Sequence, residues 1–184
     1  LAPTKEVADN SFLPIKGMIK EDEELSDLFH VQDHYKKITH RENDAFLKIV
    51  AADSGTVSGK KGSFILVDEL WEFGKNAKSE NMLREACGGQ VSRDEGFVIY
   101  LTTMSDEAPA GIFKKELEYA RKVRDGVIKN STYLPVLYEF PKEYLKKGLH
   151  KDPANWYMTN PNMGLSVSKE WLINEYGKVQ EFGE

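Results

Sequence analysis

The segment Phe64-Ile-Leu-Val-Asp-Glu69 constrains the fold more than any other, because four apolar residues run without interruption and end in two adjacent carboxylates. A second run, Phe97-Val-Ile-Tyr-Leu-Thr-Thr103, repeats the pattern with hydroxyls in place of acids. Continuous apolar runs of this length suit strands covered on both faces, as in an open parallel sheet. Such a sheet gathers loops and helix N-termini at the C-terminal ends of its strands, and ligands bind there. Both runs are too continuous for edge strands. The acids and hydroxyls are therefore expected side by side at one edge of a central parallel pair, an arrangement that implies a nucleotide-hydrolysis site.

The chemistry follows from the residue types. Successive residues of a strand point to opposite sides, so Asp68 and Glu69 address different partners where the strand ends. Asp68 is placed to hold magnesium through its water shell, and Glu69 to act as general base on the attacking water. The hydroxyls of Thr102 and Thr103 suit a hydrogen bond to a terminal phosphate or to that water. Lys60 and Lys61, in the loop Ser54-Gly-Thr-Val-Ser-Gly-Lys-Lys-Gly62, are candidates for phosphate or DNA, and Arg84 and Arg93 for a neighbouring subunit's nucleotide. Each of these residues also has a plain alternative. Buried strands also simply surface into acids, threonine ends strands well, and surface charges are usually solvated.

Composition sets the outer bounds. The 184 residues suffice for one sizeable domain, or a domain plus an appendage. With 25 basic and 30 acidic residues the formal net charge is −5, so any nucleic-acid contact is local or belongs to an assembly. A single cysteine, Cys87, excludes an internal disulfide, fits a reducing compartment, and reads as an inert buried thiol. No apolar run approaches a membrane span. His30, His34 and His40 lie near Asp33 without forming a one-face ligand set.

Along the chain, Thr4 is the expected N-cap of a helix with Ala8, Phe12, Ile15 and Ile19 on one face, kinked or broken at Pro14. A short acidic helix covers residues 22–29. His34 to His40 and Ala45 to Ala51 read as a hairpin around Arg41-Glu-Asn-Asp44. Helices are expected over residues 76–86 and 112–125, the second stopped by Gly126, and a further strand over Thr132 to Phe140 with Pro135 favouring an edge. From Pro141 onward lysines, turns and exposed-looking aromatics suggest accessory helices. Residues 1–140 and 141–184 are the expected divisions.

Taken in order, Leu1-Ala-Pro-Thr-Lys-Glu-Val-Ala8, Phe64 to Gly74, Tyr100-Leu-Thr-Thr103, Leu117-Glu-Tyr-Ala-Arg121 and Asn160-Pro-Asn-Met-Gly164 resemble the large terminase subunit of tailed bacteriophages, along nearly the whole chain. The resemblance implies the later part of a P-loop-type ATPase: an α/β fold with a mostly parallel sheet flanked by helices, then a C-terminal helical linker. It matches Asp68-Glu69 to the Walker B pair and Thr102-Thr103 to the motif that couples hydrolysis to movement. It further implies ATP and Mg2+ as cofactors, and double-stranded DNA, a small terminase subunit, a portal protein and a homo-oligomeric ring as partners in the host bacterial cytoplasm. A phosphate-cradling Gly-x-x-x-x-Gly-Lys-Ser/Thr does not occur in these residues, and the family places it upstream. The nuclease's acidic cluster is expected downstream. Hence the chain reads as the middle of a terminase, a poor ATPase by itself. The alternative is a non-catalytic prophage remnant or interaction module; another P-loop motor such as a helicase fits less of the chain.

Overall fold

The structure, a computed structural model, describes residues 1–52, 62–75, 77–90 and 94–182. It divides into two units, Leu1–Tyr119 and Ala120–Glu184.

The first unit opens on α1 (Lys5–Glu21), whose start is fixed by Thr4: its side chain accepts a hydrogen bond from the Val7 backbone N–H at 3.3 Å. Ala8, Phe12 and Ile19 are buried, as their spacing requires. The helix continues through Pro14 without a break. Pro14 lies on the exposed side, where water can satisfy the carbonyl left without a donor. Asp22 then caps α2 (Glu23–Leu28) by accepting from the Leu25 N–H at 2.9 Å.

Next come β1 (Phe29–Gln32), β2 (Lys37–His40) and β3 (Phe46–Lys48), an antiparallel sheet in that order. The β2–β3 hairpin was expected; β1 was not. Val31 pairs with Ile38 and Ile38 with Leu47, while Phe12, Ile19 and Ile38 form a buried cluster joined by Phe29 and Val31. One face of this sheet thus packs on α1 and α2, and His30, Lys37 and Thr39 take the other by alternation.

Beyond it, β4 (Phe64–Val67) and β5 (Phe97–Tyr100) pair in parallel, Phe64 with Phe97 through Val67 with Tyr100. On the far side of β4 the backbone of Leu1 bonds to Leu66 O and accepts from Asp68 N at 2.9 Å, and Ala2 bridges in parallel to Ala51. The C-terminal end of β4 is therefore hydrogen-bonded on both sides, whereas β5 is an edge among the described residues. The extended, helix-flanked parallel sheet expected of a P-loop ATPase is not seen; the described residues form a parallel pair of two strands. The expectation of two covered faces also fails. Ile65, Val67, Val98 and Tyr100 meet the core built with Leu70, Phe73, Leu83 and Phe113, but Phe64 is 61% exposed and Leu66 50%.

Three helices carry that core: α3 (Leu70–Gly74), α4 (Ala77–Gly88) and α5 (Gly111–Arg124). The start of α5 lies against the end of α3 at a contact of two glycines. A Cβ on Gly74 would stand 2.4 Å from Ala110 O, and one on Gly111, whose φ is 51°, 2.4 Å from Gly74 O. Only glycine satisfies both positions.

In the second unit the expected strand over Thr132 to Phe140 does not form. Leu134, Val136 and Tyr138 are exposed, and the residues between them are half-buried, so the pattern of a strand is present. Among the described residues no strand pairs with it, and Pro135 offers no N–H. Side chains tether the segment instead. Arg121 Nη2 donates to Glu139 Oε2 at 2.5 Å, and Arg124 bonds the other oxygen. Burial works to raise the Glu139 carboxyl, but the two guanidiniums overcome it and hold it below the usual range. Further on come α6 (Lys142–Lys146) and α7 (Lys169–Phe182). Trp156, expected among exposed aromatics, is buried: its ring stands edge-on to Tyr176 at 5.2 Å, and its indole N–H donates to His150 O at 2.8 Å.

Candidate active site

The parallel register brings the two sequence motifs together. Leu101 N–H donates to Val67 O at 2.8 Å, and Leu70 N–H donates to Leu101 O at 3.1 Å. Asp68-Glu69 and Thr102-Thr103 consequently leave the sheet at the same edge, on neighbouring strands.

Each carboxylate is held differently. Asp68 is half-buried, and its Oδ1 accepts from the Glu69 N–H at 3.1 Å. The one hydroxyl proton of Ser11 on α1 is shared between Asp68 Oδ2, at 3.2 Å, and Val7 O, at 3.0 Å. Each oxygen keeps a free lone pair, which suits a carboxylate that meets a hydrated cation through water. Glu69 sits at φ 52°, ψ 55°, the left-handed region, between the end of β4 and the start of α3. For a residue other than glycine that conformation costs about 1–2 kcal/mol. The bend turns the chain from strand to helix within one residue and sets the Glu69 side chain apart from that of Asp68.

Trp71 completes the arrangement. Its indole N–H donates to Glu69 Oε2 at 2.6 Å, and its backbone N–H donates to Thr102 Oγ1 at 3.2 Å. The Thr102 hydroxyl in turn donates a hydrogen bond to Thr103 O at 2.8 Å. A continuous path therefore runs from the threonine at the tip of β5, through one tryptophan, to the glutamate at the tip of β4. The Lys75 ammonium lies 4.0 Å above the Trp71 ring and 3.6 Å from Glu72, fixing the ring from its open side. Trp71 and Ser11 escaped the sequence reading. Trp71 left one trace, a buried-type side chain with an obligatory donor two residues after an acid; Ser11 left none, because its approach to Asp68 depends on how α1 packs.

The other candidates lie elsewhere. Arg84 is on α4, where its Nη2 pairs with Glu80 Oε1 at 2.5 Å, and Lys115 reaches the same oxygen at 3.0 Å. Lys115 first, then Arg84, holds the Glu80 carboxyl below its ordinary range. Lys60, Lys61 and Arg93 fall outside the described residues. Cys87 is half-buried, with Tyr100 Oη 3.9 Å from its sulfur, and burial pushes the thiol up. No cluster of three or more His, Cys, Asp or Glu suited to a metal ion occurs among the described residues. For magnesium the residues present thus fit one carboxylate acting through water, and not a complete coordination set.

No protein-family description matches the chain, and no curated protein matches its sequence. Among solved structures, the crystal structure of the HK97 bacteriophage large terminase matches 98% of the chain with a TM-score of 0.79, at 18% sequence identity. The fold is that of part of a phage large terminase. The chain spans 35% of that terminase's length. Within the terminase-like fold, the carboxylate pair and the threonine pair occupy adjoining strand tips. No helix among the described residues is long and apolar enough to cross a membrane.

Proposed function

We propose that the chain carries the hydrolysis side of a terminase-type ATPase site, with Glu69 as general base, Asp68 as the magnesium partner, and Thr102-Thr103 as the element that senses the nucleotide. The observation that carries this reading is the Thr102–Trp71–Glu69 path across adjoining parallel strands. The terminase-like fold supports it. Magnesium and ATP, when bound, supply the electrophilic phosphorus and neutralise the charge around it. The chain's own part is positional. Glu69, restrained by the indole of Trp71, is directed to take the proton of an attacking water, and the Ser11 hydroxyl orients Asp68. Because Trp71 is bonded to both the glutamate and Thr102, a shift at the threonine tip displaces the base, which is how hydrolysis would couple to movement.

In the full motor this activity would drive double-stranded DNA into a procapsid, with a small terminase subunit, a portal protein and a ring of identical subunits as partners in the host bacterial cytoplasm. Nuclease activity would belong to a separate domain. The chain alone is half a site, since its motifs include no phosphate-cradling loop. Calorimetric titration of the chain with magnesium-ATP tests this. The expected result is weak binding and background hydrolysis. Binding in the micromolar range, about −8 kcal/mol, would mean that another loop replaces the missing one, with Lys60-Lys61 the first suspect, and would overturn the half-site reading.

A further inference from the structure

The antiparallel sheet presents an outward face that folding alone does not account for. By register, His30 stands opposite Thr39, Thr39 opposite Phe46, Gln32 opposite Lys37 and Lys37 opposite Lys48. All six side chains share one face, and the opposite face is the one packed on α1 and α2. Two lysines directly across from each other on neighbouring strands destabilise a sheet. Neither has a carboxylate partner among the described residues, nor has Arg41, which continues β2 into the turn. Other lysines of the same region do: Lys16 pairs with Asp33 at 2.6 Å, and Lys36 with Asp9. Two of these cations, Lys37 and Arg41, border a shallow recess of about 470 Å³, lined also by His30 and His40, with Asp44 the carboxylate at its rim. The Thr39 hydroxyl beneath has no hydrogen-bond partner. A local cationic face on a chain of net charge −5 implies an anionic counterpart outside the chain.

We propose that the outward face of β1–β3, through Lys37, Lys48 and Arg41, holds the phosphodiester backbone of duplex DNA. From Lys37 to Arg41 the strand advances on the order of 13 Å, which spans about four phosphates of one DNA strand measured along the helix axis. The exposed aromatic Phe46 does not stand open for base stacking, because the Lys37 ammonium sits 4.6 Å over its ring. That favours backbone contact with a duplex over stacking on single strands. Phe46 is also the one large apolar side chain on this face, too little for insertion into a membrane surface. The choice of DNA rests on the packaging function proposed above; the cationic face does not.

The test is fluorescence anisotropy of labelled duplex DNA titrated with the chain across a series of salt concentrations, with anionic phospholipid vesicles as the comparison. Three phosphate contacts predict a slope of log K against log salt of about −3. The double variant Lys37→Gln/Lys48→Gln is expected to weaken binding about tenfold or more at low salt and to flatten the slope by about two. Lys37→Arg/Lys48→Arg restores it, and Lys5→Gln/Lys114→Gln changes neither, with circular dichroism verifying the fold of each. The proposal is overturned if the chain does not bind duplex at low salt, if the double glutamine variant binds as the parent does, or if vesicles are bound in preference to DNA. None of these outcomes bears on ATP turnover, so failure here leaves the hydrolysis reading intact, and the reverse holds.

Discussion

The two sheets of the first unit differ in how they use a left-handed residue. In the antiparallel sheet, Lys36 at φ 44° and Asp44 at φ 58° lie in the turns that reverse the chain, where that conformation closes a hairpin. In the parallel pair, Glu69 adopts it directly after the strand, between a carboxylate and a helix. In the first sheet, then, the strain serves topology. At Glu69 no reversal is needed, and the strain aims a side chain. Pairing separates the sheets too: β1, β2 and β3 are joined by short local turns, whereas β4 and β5 meet across helices, and their register is held by Leu1, Val67 and Leu101 backbone bonds.

The largest effect should come from the contact that seats the parallel pair's helices. Gly111→Ala introduces a Cβ at a positive φ and 2.4 Å from a backbone oxygen, and should cost about 3 kcal/mol or more in denaturant unfolding. Gly17→Ala, with open space around it on α1, should be neutral or stabilise by up to about 1 kcal/mol. Equal effects at the two glycines would remove the close approach of α3 and α5. A second contrast lies within β4. Val67 is fully buried, so Val67→Ala should cost about 2–3 kcal/mol, while Leu66→Ala on the open face should stay within about 0.5 kcal/mol. Comparable losses would mean that the outer face is covered in solution.

Trp71→Phe keeps an aromatic ring and deletes the donor to Glu69. With a charged acceptor at 2.6 Å, the loss should be about 1–2 kcal/mol, read as a roughly tenfold fall in turnover in a protein that also supplies a phosphate loop. Trp171→Phe, on exposed α7, is the matched control. The smallest effect separates the two uses of strain. Asp44→Gly should shift stability by no more than about 0.5 kcal/mol and leave turnover alone, while Glu69→Gly relieves the same strain and abolishes turnover.

Much of this was legible before any coordinates. The apolar runs identified β4 and β5, the cap at Thr4 placed α1, and Gly126, at φ 72°, follows the end of α5 as expected. Asp68 and Glu69 stood out as an acid pair closing an apolar run, a motif weak by itself, and the parallel register sets that pair beside Thr102 and Thr103. The Thr132 to Phe140 segment shows the limit: alternation and β-branched residues describe a strand's faces, but a strand exists only if another backbone takes its hydrogen bonds. β1 was missed because Phe29-His-Val-Gln32 is too short to show a period of its own and gains its identity from β2. The uncovered face of β4 was equally hidden, since continuous hydrophobicity states what a strand tolerates and not what lies over it. The Trp71–Glu69 bond depends on the left-handed bend at Glu69, which nothing in the residue type announces.

The proposed role of Glu69 as the base at this strand tip turns on one comparison. Steady-state ATP hydrolysis and equilibrium nucleotide binding, compared between the parent and Glu69→Gln in a protein that supplies the phosphate loop, test it most directly. An amide keeps the shape and the bond from Trp71 but cannot accept a proton, so turnover should fall by about a hundredfold or more while nucleotide affinity holds. Undiminished turnover in Glu69→Gln would contradict that role.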